Sequence, residues 1–226
     1  IMDLAIGQTA AGRYEQLVSD RAPYEREAKD ASKLTIPSLI PESTVGKHAK
    51  IKTPFQAVGA RGTNSLASKL LIALLPPSTP FFKLSIEIEI SNDRVAMFEA
   101  LKHLIVGGNV LLYLTDKGLK VYHLDRYVCK RDDVGNILEI ITKETVHPQA
   151  LPDKFLEQIK KKDNYDAKDY DEDLDIYTCI KRYGDEFTWF QECKGERIPG
   201  TDGKSKVDVS PWICLRWTRR DGVDYG

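Results

Sequence analysis

Residues 53–76, TPFQAVGARGTNSLASKLLIALLP, constrain this chain more than any other stretch. They open with a complete helix-start signature. Thr53 can cap the first free N–H groups, Pro54 sits at the first helical position, and Gln56 completes a capping box. Phe55, Val58, Gly59, Gly62, Leu66, Leu70 and Leu74 then recur at helical spacing, which predicts that they form the buried face of a helix over 54–75. Pro76 and Pro77 stop it, because neither can donate a backbone hydrogen bond. Each glycine in a helix costs about 1 kcal/mol against alanine. Close approach of another backbone is the usual compensation, so Gly59 and Gly62 are both expected to touch a neighbouring element. Reading GARG at 59–62 as the backbone clamp of a KH-type nucleic-acid domain fits poorly, because that clamp is a loop and this segment lies inside a capped helix.

Charge and motifs exclude more than they assign. The 226 residues carry 33 Lys and Arg against 34 Asp and Glu, a net charge of −1. That balance argues against a free-standing nucleic-acid binder, though not against a protein that meets DNA as part of a ring or tube. No apolar run approaches the ~18 residues of a membrane span, and no signal-peptide pattern is present. Cys129, Cys179, Cys193 and Cys214 form no CxxC pair and, with His48, His103, His123 and His147, no zinc spacing. They read as free thiols of a reducing cytoplasm. The chain has no Walker loop, GxSxG elbow or HExxH, so no catalytic residue, cofactor or metal is expected. His123 reads as structural. The acidic run with Asp169, Asp171, Asp173 and Asp175 lacks the turn glycine and closing glutamate of a calcium loop, and reads as a solvated connection. The alternative is a DNA-processing enzyme that holds Mg²⁺ there. The basic patch of Lys47, His48, Lys50 and Lys52 reads as a solvated loop, with phosphate contact as its alternative.

Periodicity places the remaining elements. Residues 12–34 predict a charged amphipathic helix, broken or kinked at Pro23, that packs through Tyr14, Leu17, Val18, Tyr24, Ala28 and Ala31. Residues 35–52 read as a loop. KLSIEIEI at 83–90 alternates strictly, as a half-buried strand does. Asn92 or Asp93 can cap a second helix with a stripe of Val95, Phe98, Leu101, Leu104 and Ile105, ended by Gly107 and Gly108. Strands are expected at 109–115, 119–124, 127–131, 137–146, 175–183, 186–192 and 212–219, with a short amphipathic helix at 148–162. The expected architecture is α+β, amphipathic helices packed on an antiparallel β meander. It divides into a helical and β core over 1–146, a short helix and acidic linker over 147–175, and a hairpin and strand over 176–226.

Four blocks carry a resemblance: RAPYEREA with LTIPSLIP at 21–41, the helix at 53–76, MFEALKHLIVGGNVLLYL at 97–114, and VYHLDRYVCKRDDVGNILEIIT at 121–142. A weaker match runs from DIYT at 175–178 to the terminal RRDGVDYG. In these blocks the chain resembles the head-to-tail connector (portal) proteins of T7-like short-tailed bacteriophages. The resemblance implies a non-enzymatic subunit of a twelve-fold ring at one capsid vertex, found in the virion and assembled in the host cytoplasm. Double-stranded DNA would pass through the channel, and the implied partners are further copies of the chain, capsid protein, the terminase packaging motor and tail or adaptor proteins, with no membrane. It also implies that this chain is the peripheral wing, with stem and clip beyond Gly226. A monomeric adaptor or tail protein is the alternative. In the family, a further stretch including a helix follows the strand matching 84–90, whereas six residues separate Ile90 from Met97 here. The chain is therefore expected to be discontinuous in nature between Ile90 and Ser91.

Overall fold

The computed structural model describes residues 9–41, 50–75, 93–163, 173–219 and 222–226. The expected strand at 83–90 and the Ile90–Ser91 join lie outside them. The chain folds as two compact units. The first comprises Ile1–Asp20, Arg126–Asp132 and Asn136–Ser210; the second comprises Arg21–Asp125, Asp133–Gly135 and Pro211–Gly226. The fold is α+β with antiparallel sheets, as the periodicities predict.

Helix α1 runs unbroken over Ala10–Leu34 with Pro23 inside it, so the expected break at this proline is not observed. The loss is local. Pro23 deprives one carbonyl, that of Ser19, of its donor, and apolar anchors lie on both sides of that turn. Tyr14, Leu17 and Ala28 are buried as predicted.

In the first unit, six strands form one sheet in the order β3-β4-β5-β6-β7, with β8 also paired to β6. They are β3 (Tyr127–Arg131), β4 (Ile137–Val146), β5 (Leu174–Tyr183), β6 (Glu186–Cys193), β7 (Glu196–Arg197) and β8 (Gly203–Lys206). On one sheet face, Ala10, Tyr14 and Leu17 of α1 pack against Val128, Ile141, Tyr177, Cys179 and Phe190. Helix α4 (Asp153–Asp163), preceded by a 3-10 turn at Pro148–Ala150, buries Phe155 and Ile159 with Leu151 against Leu174, Ile176, Cys193 and Ile198. The short amphipathic helix expected at 148–162 is therefore present over 153–163, with Leu151 extended before Pro152 at its start. Strands β7 and β8 have no counterpart in the sequence reading, because neither alternates in hydropathy. The β6–β7 turn places both Lys194 (φ 49°) and Gly195 (φ 77°) in the left-handed region, as a two-residue type I′ hairpin demands.

Two carboxylates fix α1 to this sheet. Glu192 of β6 accepts the Ala10 N–H at 2.8 Å, satisfying a donor that the first helical turn leaves free. Glu139 of β4 accepts both Nε (3.0 Å) and Nη2 (2.9 Å) of Arg13, and Lys181 lies 3.3 Å from its other oxygen. All four cysteines are free, and burial pushes the Cys179 thiol up to about 12, which leaves it inert.

The second unit holds the sheet β2-β1-β9, made of β1 (Asn109–Thr115), β2 (Gly118–Tyr122) and β9 (Trp212–Arg216). It also holds α2 (Pro54–Leu74) and α3 (Asp93–Gly107). One face of α3, through Met97, Ala100 and Leu104, covers Val110, Leu112, Leu119 and Val121 of the sheet. Another, through Leu101, Phe98 and Ile105, meets Ala67 and Leu71 of α2. Val95, expected on the buried stripe, is exposed, although β2 reaches the start of α3, where Asp93 accepts the Leu119 N–H at 2.6 Å.

Glu192 yields a pH prediction. Burial raises its pKa above the ordinary 4.5, against the lowering effect of the Ala10 and Ala11 N–H groups. A carboxyl raised on folding lends stability that is complete below about pH 4.5 and is lost as pH rises through the folded value. Glu192→Gln keeps an acceptor for Ala10 but cannot ionise. Thermal melts from pH 4 to pH 7 should therefore show a smaller fall in stability for the variant than for the parent chain; parallel curves would contradict the assignment.

Candidate docking surface

Helix α2 forms as its sequence specifies. The Thr53 hydroxyl accepts the Gln56 N–H at 3.2 Å, and the Gln56 side chain accepts the Thr53 N–H at 3.1 Å, closing the capping box. The Gln56 amide also donates to the Lys33 carbonyl at 2.8 Å, which ties the start of α2 to the end of α1.

The buried face is not the expected one. Ala60, Thr63, Ala67 and Leu71 point inward, while Phe55 is 83% exposed, Val58 71% and Leu74 59%, with Leu66 and Gly62 also exposed. The partner helix takes another side of α2: Ala67 and Leu71 pack against Leu101 of α3, with Leu70, Leu75, Met97, Phe98 and Ile105 part-buried around them, so of the expected row Leu70 alone joins that cluster. The glycines divide in the same way. A Cβ on Gly59 would stand 2.7 Å from the Leu34 carbonyl and 3.1 Å from the Thr35 α-carbon, so the predicted close approach is real there. At Gly62 nothing lies within 4 Å, and the expectation fails.

Phe55, Val58, Gly62 and Leu66 therefore line an outward apolar ridge, with Lys69 on it between the Val58 and Gly62 directions, and Ile72 and Arg61 at its edge. Fully burying each large side chain would contribute about 1.5–3 kcal/mol. A second apolar strip lies on β9. Its Ile213 and Leu215 pair with Leu112 and Val110, so all four share the face that α3 covers, yet Ile213 and Leu215 remain part-exposed, with Leu114 and Trp217. On the opposite sheet face Trp212 stacks on Tyr113, ring centroids 3.8 Å apart and nearly parallel. The Asn109 amide donates to the Gly226 carbonyl at 2.9 Å and accepts the Gly226 N–H at 2.8 Å, clasping the 222–226 segment. Tyr225 is buried there and packs against Tyr24. Gly108 (φ 67°) ends α3 beside that clasp, where any Cβ would meet the Gly226 carbonyl at 2.9 Å.

The residues weighed for chemistry are scattered. Lys47, His48, Asp169 and Asp171 lie outside the described residues. Lys50 and Lys52 are exposed, as is Asp173. Asp175 pairs with Lys143 at 2.8 Å and accepts the Thr145 hydroxyl. His123 meets Asp125 and stacks at 5.5 Å on buried His103, whose other neighbour is Glu99 at 3.8 Å. That stack joins α3 to the end of β2, and no periodicity in the sequence announces it. Among the described residues, no group of three His, Cys, Asp or Glu side chains could hold a metal ion, and no helix is long and apolar enough to cross a membrane.

A family model described as bacteriophage head to tail connecting protein matches residues 7–94 and 86–226. The chain is 36% identical over 252 residues to the portal protein of Escherichia phage T7, covering 94% of this chain and 46% of the relative. It is 35% identical over 256 residues to that of Enterobacteria phage T3 (96% and 47%), and 27% identical over 246 residues to that of Enterobacteria phage SP6 (94% and 47%). The chain thus spans about half the length of the curated relatives it matches. The T7 alignment leaves about 40 aligned positions opposite no residue here, and the family match divides into two stretches that overlap at 86–94, around the Ile90–Ser91 join.

The two helical glycines should respond to alanine in opposite ways. Gly62→Ala gains helix propensity at no steric cost and should stabilise by about 1 kcal/mol. Gly59→Ala drives a methyl into the Leu34 carbonyl and should destabilise by about 1–3 kcal/mol. Chemical denaturation of both variants checks this; a shift of the same sign in each would refute the orientation of α2.

Proposed function

Because the chain belongs to the bacteriophage head-to-tail connecting protein family, we propose that it is the wing-like part of a portal subunit. Copies form a ring at one capsid vertex through which double-stranded DNA is packaged and later ejected. Capsid protein surrounds the ring, the terminase motor docks on it during packaging, and tail or adaptor proteins replace the motor. The observation that carries this reading is the family match, which runs from residue 7 to residue 226. The relatives are named portal proteins, and on this reading the chain is a component of the virion without a catalytic role. Its near-balanced charge supports a conduit. Each phosphate gripped by a Lys or Arg adds counterion-release affinity, and with it friction against moving DNA. Its apolar surface ridges support a subunit that is completed by neighbours.

Electron microscopy of the purified gene product that carries this chain tests the proposal. Closed rings are expected. A monomer that cleaves DNA only with added divalent metal would replace the reading with the enzyme, and a non-assembling, inactive monomer would replace it with an adaptor.

The divided family match supports a second expectation, that Ile90 and Ser91 are not neighbours in the natural protein. Trypsin would release 84–94 as LSIEIEISNDR from the contiguous chain. Peptide mapping of the phage-borne protein should not find that fragment; its recovery would establish that the join is real.

A further inference from the structure

We propose that the outer ridge of α2 is covered by a second copy of this chain, the neighbouring subunit; this rests on the portal reading. A helix that faces water on one side is polar there. Helix α2 instead carries two apolar stripes. The inner one, Ala60, Thr63, Ala67 and Leu71, is buried within the second unit. On the outer one, Phe55 and Val58 are 83% and 71% exposed, and Leu66 follows along the same side with Ile72 at its edge. Gly62 lies between Val58 and Leu66 with open space where a Cβ would stand, so the ridge has a notch that could receive a side chain from a partner.

Charge selects the occupant. Residues 50–75 hold Lys50, Lys52, Arg61 and Lys69 and not one carboxylate, although the chain as a whole is balanced. The rest of every copy is therefore net acidic and complements this segment. Duplex DNA would satisfy the cations but leave Phe55, Val58, Leu66 and Ile72 facing phosphates and water. A closed ring also needs this kind of contact, in which a patch on one subunit meets a different patch on the next.

The test uses the gene product that carries this chain, with Val58→Asp and Leu66→Asp on the ridge and Asn64→Asp as an equal charge change on another exposed side of α2. Native mass spectrometry and electron microscopy read assembly, and circular dichroism reads folding. The ridge variants should fold and lose about tenfold or more of the assembled fraction, while Asn64→Asp assembles normally. A Val58→Cys variant decides the matter even if the aspartates misfold. Its thiol should react with a maleimide in the unassembled chain and be protected in rings. Rings in which residue 58 still reacts, or folded ridge variants that assemble fully, overturn the inference and leave the portal reading standing. Absence of rings from the parent protein overturns both. Protection of residue 58 by phosphatidylglycerol vesicles but not by ring assembly would assign the ridge to a membrane and also overturn it.

Discussion

Helix α3 must bury two faces at once, and the second unit depends on that. Its Met97, Ala100 and Leu104 close over Val110, Leu112, Leu119 and Val121, while Leu101, Phe98 and Ile105 receive α2. Only a helix with apolar residues on two sides can sit between a sheet and another helix. Each face also limits its neighbour. The three-stranded sheet is wider than one helix, so Ile213 and Leu215 of β9 stay part-exposed at its margin. Helix α2 meets α3 through Ala67, Leu70, Leu71 and Leu75, which leaves Phe55, Val58 and Leu66 exposed.

The first unit is organised by different physics. Its sheet is broad enough for α1 and α4 to cover much of its apolar surface, and the decisive contacts there are polar. Glu139 is nearly buried between Arg13 and Lys181. Removing one partner of such a group leaves an uncompensated charge, which costs more than the pair itself contributes. Glu192 satisfies the start of α1 at the expense of its own desolvation. These contacts fix where α1 begins on the sheet, a position that Tyr14 and Leu17 alone would leave free to slide.

The stacked pair His103 and His123, the Asn109 clasp on Gly226 and the Tyr113–Trp212 stack each join segments distant in sequence. Among the described residues, the strips on α2 and β9 are two of the places where large apolar side chains stay exposed; Leu34, Val95, Val134 and Val209 are others.

The sequence by itself determined the elements. The capping box at Thr53 and Gln56, the ends of α3 and the seven described strands that alternate or carry long apolar runs are local properties, set by backbone hydrogen bonding and side-chain period. It missed β7 and β8, because Glu196–Arg197 and Gly203–Lys206 are too short and polar to show a period. Of the break or kink expected at Pro23, the break does not occur, because the 25-residue helix is anchored by buried residues on both sides of it. The tertiary structure alone decided which strands share a sheet, pairing β9 with β1 across about a hundred residues. It alone decided, too, which of α2's two stripes faces in. Both stripes have the same helical period, so a rule that buries the larger residues chose Phe55, Val58 and Leu66. The partner helix instead took the side with Ala67 and Leu71, which pack against Leu101 of α3, because a helix's own period does not say which of its apolar sides a neighbour will cover.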